Sequence, residues 1–265
     1  MTSRKYLVLA AVLGAGLLAA GLMAASAMQA AEAAKTQAPK ADETKAPEAK
    51  PADTAKEQPT AGAPAEKLVP LEVKLPKAMF EGTPKNIKPA PTLEKYVDKP
   101  RAPFLAPEGC KNMAKDKPVK ASDMEPIIGE LKLITDGDKE GTDGSYVELG
   151  PGRQWVQIDL KDPVAIYAFV VWHYHGEGRV YHDVVLQVAD DADFIENVKT
   201  VYNNDFDNSS GLGIGKDLEY IEDYRGRLID AKGVKARYVR LYSKGNTSND
   251  QNHYIEVEVY GKPAK

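Results

Sequence analysis

Residues 155–172 decide the fold: Trp155-Val156-Gln157-Ile158-Asp159-Leu160-Lys161-Asp162-Pro163-Val164-Ala165-Ile166-Tyr167-Ala168-Phe169-Val170-Val171-Trp172. Apolar and polar residues alternate through the first third, which puts Val156, Ile158 and Leu160 on one face of a strand. Asp162-Pro163 predicts a turn. In the next strand Ile166, Ala168, Val170 and Trp172 share one face, and Phe169, Val171, His173 and His175 share the other. Gly176-Glu177-Gly178-Arg179 reads as a short loop, and 181–189 returns as a strand, so the pair predicts a hairpin. Asp190-Asp191-Ala192-Asp193 predicts a capped helical turn. Residues 237–242 and 254–260 are further strands, flanking a polar loop over 244–253. Short strands joined by long polar loops, with no long amphipathic helix, define an all-β chain: an antiparallel β-sandwich or barrel.

Working outward, the 265-residue chain is uneven. Residues 1–33 carry Arg4 and Lys5 before the apolar run 6–23, then the small-residue patterns Ala25-Ser26-Ala27 and Ala31-Glu32-Ala33. That is the pattern of a signal peptide, and its length also suits an uncleaved membrane anchor. Either way the bulk of the chain is expected to be exported, whether periplasmic, at the cell surface or secreted. Residues 34–108 hold 13 of the 18 prolines but only three aromatics, a composition expected to form a disordered Pro/Ala/Lys-rich linker or stalk. Within it, Leu68, Val69, Leu71, Val73, Leu75, Met79 and Phe80 recur between prolines. That spacing leaves two courses open for 67–108: a sticky linker, or an extended segment lying on the domain or on a partner. Residues 109–265 hold 16 of the 20 aromatics and carry 20 Lys+Arg against 27 Asp+Glu, so the folding unit is placed there. Its net charge of −7 argues against nucleic acid as a partner. The single Cys110 excludes an internal disulfide.

Five pieces of 109–265 resemble, in order, the marks of discoidin (coagulation-factor C-type) domains. They are Asn112-Met113-Ala114-Lys115-Asp116-Lys117-Pro118-Val119-Lys120-Ala121-Ser122, Thr135-Asp136-Gly137-Asp138, Trp155–Leu160 as quoted above, Ala236-Arg237-Tyr238-Val239-Arg240-Leu241, and Ile255-Glu256-Val257-Glu258-Val259-Tyr260-Gly261. The resemblance implies a galactose-binding-like jelly roll, a fold whose members bind sugars, phospholipid surfaces or proteins. It also implies a structural calcium ion where the Asp-Gly loop meets the acidic residue of the last strand. Asp136, Asp138 and Glu256 match those positions, and hard carboxylate oxygens suit Ca²⁺. The long insert 139–152 departs from the pattern.

Two further constellations stand out. All four histidines lie in the folded zone, and His173 and His175 share a strand face to which His182 returns. Such a set suits a transition metal, a polar floor for sugar hydroxyls, or ordinary half-buried strand positions. The resemblance to sugar-binding discoidin domains also implies a His, an Arg and an Asn on loops at one end, with a stacking ring. His175, Arg179 and Asn246 approximate that set. Asn249 and His253 belong to the same loop, and Tyr146, Tyr174 and Tyr181 are possible platforms. The ligand-binding candidates are therefore Tyr146, His173, His175, Arg179, Tyr181, Asn246, Asn249 and His253.

No ordered catalytic motif places a nucleophile or a general base. The expectation is a non-catalytic binding module on a stalk, with carbohydrate or a cell-surface glycan as its partner. The alternative is a structural or adhesion protein that binds another envelope protein. Membrane contact is expected only through an uncleaved N-terminal anchor.

Overall fold

The computed structural model describes residues 66–264, so the signal, the anchor and the 34–65 linker lie outside the described residues. Eleven strands follow in order: β1 (Leu68–Pro70), β2 (Leu105–Pro107), β3 (Lys111–Asn112), β4 (Val119–Ala121), β5 (Val147–Leu149), β6 (Gln154–Trp172), β7 (Val185–Ala189), β8 (Lys199–Asn203), β9 (Arg227–Ser243), β10 (Asn252–Tyr254) and β11 (Glu256–Pro263). A 3₁₀ turn, Leu131–Thr135, precedes β5. Among the described residues the regular structure is otherwise all β, and all pairings between the strands are antiparallel.

The deciding stretch is a single strand. β6 runs 19 residues with a wide bulge where Asp159 and Val164 face Tyr238 and Ala236 of β9. The expected turn at Asp162-Pro163 is this bulge. Lys161 adopts φ 76°, Pro163 cannot donate to the ladder, and Asp159 accepts the Lys161 N–H at 2.8 Å. Such a bend lets one long strand change partners along its length within the seven-stranded sheet. Its first half pairs with β4, its second half with β11, and both halves pair with β9.

The expected hairpin of 166–172 with 181–189 does not form. β9 and β11 already occupy both edges of that half of β6. The chain therefore crosses over, and β7 adds outside β9, with β8 beyond it. The expected strand 254–260 is two strands that part at Ile255: β10 pairs with β5, and β11 with β6. The helical turn expected at Asp190–Asp193 is a non-helical turn, in which the Asp191 carboxylate accepts the N–H groups of Asp193, Ile195 and Glu196.

The face assignments read from alternation hold except at Ile166, expected beside Ala168, Val170 and Trp172: the ladder with β9 shifts register between Ile166 and Ala168, which turns Ile166 to the face of Phe169 and Val171. Val156, Ile158, Leu160, Ile166, Phe169 and Val171 enter the main core with Val257, Val259, Val239 and Leu241. Ala168, Val170 and Trp172 form a second core with Ile255 and Tyr260 on the opposite face. That face is covered by the segment expected to belong to the stalk. Leu71, Val73 and Phe104 pack on it, β1 and β2 pair with each other, and Leu93 bridges to Glu219. Of the two courses open to 67–108, the chain takes the one along the domain. The domain boundary expected at residue 109 therefore lies at or before residue 66. Leu71, Val73 and Phe104 leave water for that sheet face, while Leu68, Leu75, Met79 and Leu105 stay exposed.

Candidate functional site

Several of the predicted ligand-binding side chains come together at one end of the sandwich, beyond the C-terminal end of β6. The ring centroids of Tyr146 and Tyr174 are 5.3 Å apart in an edge-on arrangement, and both residues are half-buried. The Arg179 guanidinium stacks on Tyr174 with its carbon 4.6 Å from the ring centroid, and it is bound on its side by Glu177. Behind them is a buried chain of polar groups. The Tyr181 hydroxyl meets His253 Nδ1 at 2.9 Å, and His253 Nε2 meets Glu148 at 3.0 Å. Burial pulls the His253 imidazole down to about 4, with Arg179 and His173 pushing the same way. Burial drives the Tyr181 hydroxyl well above its ordinary value.

The remaining candidates have other partners. His173 is fully buried, stacked on Tyr181 at 4.4 Å, with Nδ1 2.6 Å from Glu222. His175 is fully buried, and its Nε2 meets the Lys139 carbonyl at 2.8 Å. Both imidazoles are closed off from solvent. His182 pairs with Glu219 at 3.1 Å, which raises its pKa. The histidines thus have separate partners and do not form a shared metal-binding set. Asn246 lies beside Tyr181 in a backbone bridge, but its amide is fully used inside its own loop. It donates to Asn249 and the Gln251 carbonyl and accepts from the Ser248 and Asn249 N–H groups. Asn249 is exposed, and its carbonyl oxygen is taken up by the same loop. Both asparagines shape the loop and leave the exposed face to Tyr146, Tyr174 and Arg179.

Residue patterns gave no hint of Glu148, Glu177 and Glu222, because each meets its partner from a distant or irregular stretch. A second feature was equally hidden: Asn86 donates to the Gly178 carbonyl at 3.2 Å, and Pro84 covers Gly178 so closely that a Cβ there would clash.

The expected calcium positions divide. Glu256 is fully buried. One of its oxygens accepts the Gly137 N–H at 2.9 Å, and the other has no partner. Burial raises its carboxyl to about 9, with Glu258 and Asp136 adding to the rise. A buried acid with one orphaned oxygen, touching the Asp-Gly loop, fits a hard cation. Asp138 does not fit, since its two oxygens accept the Glu140 N–H and the Ser145 hydroxyl. Asp136 caps the loop through the Asp138 N–H, and the Lys115 ammonium is bound to its carbonyl. Among the described residues, the acids close enough to share one ion are instead Asp183, Asp205 and Asp207, whose ligand atoms lie within 4.8 Å of one another. That cluster already receives the Ser209 and Ser210 N–H groups, and Lys244 lies 3.5 Å from Asp183.

No family model matches the sequence, and no curated protein matches it. Solved structures that align with the sandwich include family 32 carbohydrate-binding modules and other sugar-binding modules. One is the module of AlyQ in complex with 4,5-unsaturated mannuronic acid: 21% identity over 55% of this chain and 95% of that one, TM-score 0.38. Another is the Streptococcus pneumoniae fucose-binding module SpX-3, 19% identical over 57% and 97%, TM-score 0.40. A third, from Clostridium perfringens, is in complex with GlcNAc-α-1,4-galactose, 18% identical over 58% and 96%, TM-score 0.43. The chain spans only 15% of the length of the Clostridium perfringens family 89 glycoside hydrolase that it also matches.

Proposed function

We propose that this chain is an exported, non-catalytic carbohydrate-binding module whose sugar face is Tyr146, Tyr174 and Arg179. The observation that carries the reading is the pair of half-buried tyrosine rings 5.3 Å apart, with a guanidinium stacked on one of them. The apolar face of a pyranose stacks on an aromatic ring, while a planar guanidinium and the Glu177 carboxylate bind vicinal hydroxyls. The buried Tyr181–His253–Glu148 chain holds the rings in place, so little ordering is left for the sugar to impose.

A glycan array and titration calorimetry test it. Binding to at least one neutral saccharide is expected, and Tyr174→Ala should weaken it by about tenfold, the loss of roughly one stacking contact. No binding to any glycan, with or without Ca²⁺, would remove the reading. Recovery of a stoichiometric envelope protein under the same conditions would then favour adhesion.

Two parts of the proposal are tested separately. Export rests on Arg4, Lys5 and the apolar run 6–23, and N-terminal mass spectrometry of the protein from outside the cytoplasm checks it. A structural Ca²⁺ would be held by the unpartnered oxygen of Glu256, beside the Asp136–Gly137 loop. Added Ca²⁺ is expected to raise the Tm, and Glu256→Gln to abolish that rise. An unchanged Tm would exclude the ion.

A further inference from the structure

A groove of about 510 Å³ lies between residues 94–101 and the start of β9, and none of the three sugar-face residues lines it. Its charge is opposite to that of the domain. Lys95, Lys99, Arg101, Arg225 and Arg227 line it against only two carboxylates, Glu94 and Asp223. Both acids are already engaged. Asp223 forms a bidentate pair with Arg225, and Glu94 binds Arg227 at 2.7 Å. Lys95, Lys99 and Arg101 have no carboxylate partner within 4.0 Å among the described residues. Arg101 donates only to the backbone carbonyls of Arg225 and Gly226. Burial lowers its pKa against the pull of the Asp223 and Glu94 carboxylates, and the neighbouring Arg225 and Arg227 add to the fall.

Five cations against two acids leave the groove with an excess of positive charge, which a bound anion would offset. The remaining wall is aromatic. Tyr96 lies under Arg225, 5.4 Å from ring centroid to guanidinium, and Tyr220 under Arg227 at 4.7 Å. Rings beside guanidiniums suit a sugar that carries an acidic group better than a bare ion. Arg227 Nε is buried and has no hydrogen-bond partner, a donor left over at the same wall.

We propose that this groove is a second glycan subsite, in which Lys95, Lys99 and Arg101 bind the carboxylate or sulfate of an acidic sugar residue. The proposal rests on the carbohydrate-binding reading, and its test separates the two. Three oligosaccharides are titrated into the full chain by calorimetry: a neutral galactan, an oligogalacturonate and a sulfated galactan. At least one acidic saccharide is expected to bind about tenfold tighter than the neutral one, as for one or two charge-assisted bonds, with the gap closing as salt screens it. Whether the carboxylate or the sulfate series shows the gain tells which anion is recognised.

Arg101→Gln, and separately the exposed pair Lys95→Gln with Lys99→Gln, should erase the preference for acid while leaving neutral binding unchanged. Tyr174→Ala should weaken neutral binding and keep the preference. The lysine pair guards against a folding artefact at Arg101, and an unchanged Tm verifies it. Equal binding of neutral and acidic saccharides, or a preference that survives both variants, would overturn the subsite alone. Absence of binding to all three would overturn the subsite, and the glycan array then decides whether the proposed function falls with it.

Discussion

Asp159 ties the bulge of β6 to the neighbouring strand. Its carboxylate accepts the Lys161 N–H that closes the bulge and grips Arg237 of β9 through Nε at 2.9 Å and a second nitrogen at 3.1 Å. The Arg237 bond, with help from the Lys161 N–H, pulls the Asp159 carboxyl from 3.8 to about 2. An acid with a lowered folded pKa contributes stability that is present above its unfolded value and is lost as pH falls through the folded one. Asp159→Asn is therefore expected to cost about 1 kcal/mol at pH 7, a modest figure because Arg237 is more than a third exposed and screened by solvent. The difference between wild type and variant should shrink between pH 4 and pH 2 in urea unfolding curves; a constant difference would count against this origin. At the fully buried His173–Glu222 pair no such screening operates. Glu222→Ala should cost about 3 kcal/mol, since it strands a buried imidazole. Equilibrium unfolding reads that loss directly.

At the scale of elements, β6 separates what alternation reports from what it leaves out. From residue 168 on the period of two gave both faces, because burial on each side is written in residue type: Phe169 and Val171 toward one core, Ala168, Val170 and Trp172 toward the other; at Ile166 it failed, because the register shift before Ala168 leaves no mark in residue type. Partner choice was not written there. A strand buried on both faces offers either edge, and the edges of β6 go to β9 and β11, so the nearest strand in sequence, β7, is displaced outward. The site suffered similarly. Rings and charges were recognisable as candidates, but whether His175 or Tyr174 faces solvent depends on the 139–141 loop and on Pro84, which are far away in sequence. One local position does encode its neighbour. Gly226, at the start of β9, has φ 62°, and a Cβ there would come within 2.6 Å of the Trp172 ring. Gly226→Ala must push the indole off the carbonyl of Tyr224, to which it donates at 2.9 Å. A loss of about 2 kcal/mol is expected, with a red shift in tryptophan emission. Unchanged emission and stability would mean that the ring has room to move.

At the scale of the whole molecule, the near-balance of 35 basic and 39 acidic residues conceals an acidic sandwich with one basic groove. That groove exists only because residues 66–108 belong to the fold. Composition pointed the other way: prolines every few residues describe an extended chain equally well whether it floats or lies on a sheet, because polyproline geometry needs no partner. The distinguishing facts are tertiary. Leu71, Val73 and Phe104 cover Trp172, Ile255 and Tyr260, and Arg225 holds the carbonyl of Val97 at 2.8 Å. A segment that half-buries three apolar side chains contributes less than the roughly 1.5–3 kcal/mol that full burial of each would give, before the entropy of ordering it is subtracted. A chain starting at residue 66 is therefore expected to match the full protein in Tm. One starting at residue 109 should lose about 2–4 kcal/mol, or roughly 5–15 °C, and should bind a hydrophobic dye at the uncovered face. It should also lose any preference for acidic over neutral saccharides, since Lys95, Lys99 and Arg101 go with the segment. Equal Tm and equal dye binding for the two truncations would show that the segment only rests on the sheet.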